Sequence, residues 1–144
     1  MYRNMILVCH AADGHIADGD RQGIRRVLDW SESVANVELS GCESYEIVLV
    51  DGGKLELDAP GLDGNRSFHH MELFFDTSEV TPGVLTLIYE LMHGGGFGLM
   101  DSVEASQFIV SQPQQVAYFP RLPEMPRLVR NSRDLGHTLG HPIP

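Results

Sequence analysis

The chain has 144 residues, a length that suits one domain, 1–144, rather than two. It is 42% hydrophobic and 21% charged, and no apolar run approaches the eighteen or so residues of a membrane-spanning helix. With 20 Asp and Glu against 10 Lys and Arg, the net charge of −10 opposes capture of nucleic-acid phosphates or anionic lipid and points to a basic partner.

At the amino end, Met5–Cys9 is apolar but shorter than the roughly 7–15-residue core of a signal peptide, and His10 and Asp13 follow at once. The stretch is therefore read as part of the fold, a strand over 5–11 with β-branched Ile6 and Val8. Cys9 and Cys42 are the only cysteines, too few for a disulfide framework, which points to a reduced, cytoplasmic protein. Their spacing leaves a single disulfide open. Asp18 or Asp20 then caps a helix over about 20–34, with Ile24, Val27, Leu28, Ser31 and Val34 at helical spacing. A three-strand meander follows: Asn36–Ser40 alternates, Tyr45–Val50 is strand-like, and Asp51-Gly52-Gly53 turns into Lys54–Asp58.

Residues 59–67 are rich in turn formers and make a loop between two halves. Phe68–Asp76 reads as a strand with Met71, Leu73 and Phe75 facing the core and His70, Glu72 and Phe74 facing away. Thr81 as N-cap and Pro82 in the first turn open a helix over 82–93, whose Val84, Leu85, Leu87, Ile88, Leu91 and Met92 form an apolar stripe ending at Gly94. Phe97–Met100, Gln107–Ser111 and Val116–Phe119 are short strand candidates. Residues 120–144 form a proline-rich segment in which Arg127, Arg130 and Arg133 recur every three residues on a short terminal helix, and a flexible tail follows.

Gly94-Gly95-Gly96-Phe97-Gly98 looks like a phosphate cradle, but such glycines precede a helix, whereas these close one. A left-handed cap fits better. Of the seven histidines, His137 and His141 have helical spacing on a glycine-weakened segment, and His69 and His70 point to opposite faces of a strand. No metal site and no cofactor is read from these patterns. His70 and Glu72 share a face and are the best candidates for a proton-transfer pair, against the commoner surface hydrogen bond.

Asp13-Gly14-His15-Ile16-Ala17-Asp18-Gly19-Asp20 resembles part of an EF-hand loop and the acidic helix-loop-helix of the tellurite-resistance B family. A calcium loop needs a bidentate Glu at its twelfth position, where this chain has Ile24, so capping by Asp18 and Asp20 is preferred. No Gly-X-Ser-X-Gly elbow or activated cysteine motif is present. The strand followed by Thr81-Pro82-Gly83-Val84-Leu85 is similar to the strand-to-helix start of ACT domains, small amino-acid-binding regulatory modules. That resemblance covers about 30 residues and implies a ligand site at Thr81 and Gly83.

Charge is segregated: residues 29–63 carry nine acids against Lys54 alone, whereas 121–144 are net basic. On alternating strands Glu38, Glu46, Glu56 and Asp58, with Glu43 nearby, define a negative sheet face. Simple solubility would also explain such a face. The sequence thus predicts an α+β domain, an antiparallel or mixed sheet with two main helices packed on one face, ferredoxin-like in part. Its functional expectation is a non-catalytic protein that binds and neutralises a basic protein partner, as bacterial immunity proteins and antitoxins do. A small-molecule-binding module using Thr81 and Gly83, and an enzyme using His70 and Glu72, are the alternatives.

Overall fold

Strand alternation divides this protein into a buried and an open side. In β1 (Tyr2–Val8) Met5 and Leu7 are fully buried, and in β5 (His70–Asp76) Met71, Leu73 and Phe75 do the same, while the residues between them face away. The computed structural model describes residues 2–64, 66–102 and 106–141. The other described strands are β2 (Val34–Gly41), β3 (Ser44–Leu49), β4 (Lys54–Asp58), β6 (Gly98–Asp101), β7 (Ile109–Val110) and β8 (Arg127–Leu128). They form one mixed sheet in the order β2-β3-β4-β5-β1-β6-β7-β8, antiparallel throughout except at β7–β8.

The expected α+β class is the observed one. β2, β3 and β4 make the expected meander, and β5 and β6, joined by α2 (Pro82–Gly95), flank β1 as in the split β-α-β unit of ferredoxin-like sheets. Helices α1 (Arg21–Trp30) and α2, the two main helices expected, pack on the buried side, and the short terminal helix α4 (Ser132–Leu139) packs there with them. Their Ile24, Leu28, Leu87, Ile88, Leu91, Leu135 and Leu139 join the strand residues in one core, each burial contributing roughly 1.5–3 kcal/mol before the entropy of ordering is set against it.

Local chemistry sets the helix ends. Asp20 caps α1, its Oδ1 accepting from the Gly23 amide at 3.0 Å, and Ser31 turns extended, so the helix stops short of the expected residue 34 and Val34 opens β2. Gly96 ends α2 in the left-handed region at φ 74°, with Phe97 N–H donating to Met92 O at 2.9 Å. The glycine run is thus a helix cap. It also permits close crossing, because a Cβ on Gly23 would lie 2.0 Å from the Gly94 carbonyl oxygen.

The carboxyl-terminal third departs most from expectation. Val116–Phe119 is not a strand: Gln115–Tyr118 forms α3, a single helical turn whose Gln115 side chain accepts from the Ser111 and Gln112 amides at 3.2 and 3.0 Å. Arg127, Arg130 and Arg133 do not share a helix, since Arg127 lies in β8, and Asn131 caps α4 only after Arg130. The tail expected to be flexible is helical to Leu139, with buried Gly136 inside α4 and left-handed Gly140 closing it.

Candidate functional site

The side of the sheet away from the three long helices is covered at one end only. There Phe108, Val110 and Phe119, with Val116 and Tyr118, pack over Val8 and Met100. Toward β2 the face is open, and the strand register lines up its acids. Glu38 is directly opposite Glu46, Glu46 is directly opposite Glu56, and Phe74 continues the row on β5. Asp58 lies opposite Glu72 in the next row. Antiparallel partners point the same way with Cβ atoms about 4.5–5.5 Å apart, so like charges in these positions repel. Among the described residues no hydrogen bond or ion pair engages Glu38, Glu46 or Glu56, and all three are exposed.

Several arginines are engaged away from this face. Arg21 donates to Gly61 O at 2.9 Å and to Arg66 O, while Arg25 donates to Leu62 O at 2.7 Å and pairs with Asp63 at 3.0 Å. Two of the three arginines of α1, Arg21 and Arg25, therefore clamp the 59–67 loop. Tyr45 reaches the same loop: burial and its hydrogen bond to Asp63 push the phenol up to about 12. Arg3 pairs with Asp101 at 2.8 Å and donates to Leu139 O at 3.0 Å, fastening α4 to β1. Lys54 is the single Lys or Arg on β2 to β5.

A depression of about 320 Å³ opens on this face. Tyr2, Val48 and Phe74 line it together with Glu46, Glu56 and Lys54, so apolar surface and carboxylates meet in one hollow. Tyr2 is 76% exposed, unusual for an aromatic side chain.

Of the five acids that the sequence grouped, Glu38, Glu46, Glu56 and Asp58 share the open face. Glu43 is withdrawn from it. It sits at the β2–β3 turn with φ 62°, accepts from Gly61 N–H at 2.7 Å and pairs with Arg66, which makes it a fastener for the loop. Asp58 also accepts from Ser44 Oγ at 2.6 Å.

His70 and Glu72 are on one face as anticipated, each about one third exposed, but Nε2 and Oε1 are 3.6 Å apart. That exceeds hydrogen-bond reach, and neither residue lines the depression. Thr81 and Gly83 do mark a helix N-terminus, and the chain itself fills it. Asp51, from the β3–β4 turn, accepts from Gly83 N–H at 2.7 Å, Thr81 Oγ1 at 2.9 Å and Gly53 N–H at 3.1 Å. A Cβ on Gly83 would lie 2.8 Å from the Asp51 carboxylate oxygens. Burial tends to raise this carboxyl's pKa, but the donated hydrogen bonds from Gly83, Gly53 and Thr81 outweigh that and hold it below the ordinary range.

The Asp13–Asp20 segment is occupied in the same internal way. Asp13 accepts from His15 N–H, Asp18 from Phe68 N–H and Asp20 from Gly23 N–H, each at 3.0 Å. Asp20 is therefore the cap, and Asp18 anchors the start of the β5 segment. Among the described residues no group of three His, Cys, Asp or Glu is placed to hold a metal ion. Cys9 and Cys42 are both free thiols. Burial and the nearby Asp18 push the Cys9 thiol up, and its Sγ donates to Gly96 O at 3.3 Å.

Sequence reasoning missed Asp51, whose partners lie thirty residues away, and the hollow that Tyr2, Phe74 and Lys54 build with two of the glutamates. Phe74 carried a signal: an aromatic residue at a strand position facing away from the core. No described helix is long and apolar enough to cross a membrane. Compared with known proteins, the chain matches no family model, no curated protein and no solved structure.

Proposed function

We propose that this chain is a non-catalytic interaction protein whose open acidic sheet face docks on a basic protein partner and neutralises it, in the manner of immunity proteins and antitoxins. The observation that carries the reading is the Glu38–Glu46–Glu56 row, set in register across three strands with no hydrogen bond or ion pair to any of the three among the described residues. Such a row lowers the stability of the free protein and becomes favourable when Arg or Lys side chains are laid over it. The adjoining hollow adds Tyr2, Val48 and Phe74, the mixture of aromatic and apolar surface on which interface anchors rest. Free thiols fit a reducing cytoplasmic setting, where such inhibitors meet their targets.

The test begins with the partner retained on immobilised protein at low salt, identified, and purified. Its affinity is then measured against wild type and against Glu46→Lys/Glu56→Lys/Asp58→Lys. The reading requires at least a roughly hundredfold loss, since each close interfacial charge pair couples by about 1.5 kcal/mol or more. An unchanged affinity would show that this face is not the docking surface.

A further inference from the structure

Among the described residues the sheet ends at β2, and no strand pairs with the outer edge of that strand. β2 is eight residues long and contains neither Pro nor Lys, the residues that commonly blunt an edge. Register shifts at Val34/Asn36 and Leu39/Gly41 leave Asn36–Leu39 as a regular run between them. Large apolar side chains are exposed on and near β2. Six are exposed among the described residues, and three belong here: Trp30 at 80%, just before β2; Val50 at 69%, whose N–H donates to Ser33 O; and Leu39 at 60%, on β2 itself.

The two faces of β2 differ. Glu38 lies on the open side in line with Glu46 and Glu56, whereas Val37 and Leu39 lie opposite Ile47 and Tyr45 on the helix side. Resting on the reading above, we infer that β2 receives an extended segment of the basic partner as a ninth strand, one in which cationic and apolar side chains alternate. Its cations extend the acidic row by one strand, meeting Glu38 first. Its apolar residues cover Val37 and Leu39. Main-chain hydrogen bonds along the edge supply the affinity and the alternate side chains the selectivity. A second copy of this chain is a poorer occupant, because pairing β2 with β2 brings Glu38 near its own counterpart between two chains of net charge −10.

The probe is a capped heptapeptide alternating Arg and Val, compared with the same peptide N-methylated at every second residue and with one carrying Glu for Arg. Binding is read by fluorescence anisotropy at low salt, and amide hydrogen exchange is followed over residues 35–40. The inference requires that the parent peptide bind and slow exchange in 35–40. It also requires that N-methylation and Glu38→Lys each weaken binding by about tenfold or more, and that the Glu peptide not bind. No binding of the parent peptide, or a self-associated protein protected at 35–40 before peptide is added, overturns it. If the N-methylated peptide binds as well as the parent, and Glu46→Lys/Glu56→Lys abolishes binding, strand addition is wrong while the docking face stands. If binding ignores Glu46→Lys/Glu56→Lys as well, the docking face itself is wrong.

Discussion

Glu46 offers the sharpest test of the acidic row, because it is flanked by a like charge on each side, Glu38 on β2 and Glu56 on β4. Cross-strand pairs of this kind contribute roughly 0.2–1 kcal/mol each, unfavourable for like charges and favourable for opposite ones. Glu46→Lys turns two repulsive pairs into two attractive ones, a change of twice that amount at each pair, so at the lower end of the range, where exposed pairs lie, it should stabilise the fold by about 0.8–2 kcal/mol. Glu46→Gln only removes the repulsion and should give about half of that. For a chain of this size 1 kcal/mol moves the melting temperature by roughly 2–4 °C, within easy reach of calorimetry or urea titration. The gain must also shrink with salt, since the Debye length falls from about 10 Å at 0.1 M to about 3 Å at 1 M. In a Glu38→Gln/Glu56→Gln background the benefit of Glu46→Lys should largely disappear. A neutral or destabilising Glu46→Lys at low salt, or a gain indifferent to salt, would refute the electrostatic account of this face. The same variant should lose partner affinity, so stability and binding would move in opposite directions.

Asp51→Asn should destabilise the protein by about 1 kcal/mol at pH 7, toward the lower half of the capping range because the carboxylate is exposed, as urea titration would show. The Asp51 pKa is depressed in the folded state, so its contribution is intact above the unfolded value near 3.9 and is lost as pH falls through the lower folded value. The wild-type advantage over Asp51→Asn should therefore hold from pH 7 to about 4 and fade below it. A maleimide or disulfide reagent at pH 7 should modify exposed Cys42 at least about tenfold faster than Cys9, and both thiols should react in denaturant without prior reduction.

Elements whose signal is local were legible in the sequence. The faces of β5 follow from alternation alone, and α2 from its Thr81 cap, Pro82 and terminal glycines. The meander followed from its Asp-Gly-Gly turn and paired alternating runs. Val116–Phe119 was misread because four apolar residues fit a strand and a helical turn equally, and the deciding contact is Gln115 folding back on the Ser111 and Gln112 amides. Glu43 was grouped with the face acids by its place in an acidic block. Its turn conformation and its bond to Gly61 depend on where the 59–67 loop packs, which no spacing records. Asp51 looked like a turn residue and is one, but its second role depends on the β3–β4 turn reaching the start of α2.

The contrast between those last two acids and the row of three is what favours the proposed binding surface over plain solubility. Wherever this protein needs a carboxylate for its own fold, it surrounds it with donors: Glu43 with Gly61 and Arg66, Asp51 with Gly83, Thr81 and Gly53, Asp20 with Gly23. Arg21 and Arg25 of α1 are committed to the loop carbonyls and Asp63. A surface serving solubility alone is best made with charges of both signs interspersed, which limits self-repulsion. Glu38, Glu46 and Glu56 are instead stacked in register, without donors, beside the one aromatic-lined hollow described on this face and next to an unpaired edge. That arrangement leaves like charges facing one another in the free protein, which cations laid over the row would relieve, and it is the physical argument behind the proposal of a basic partner.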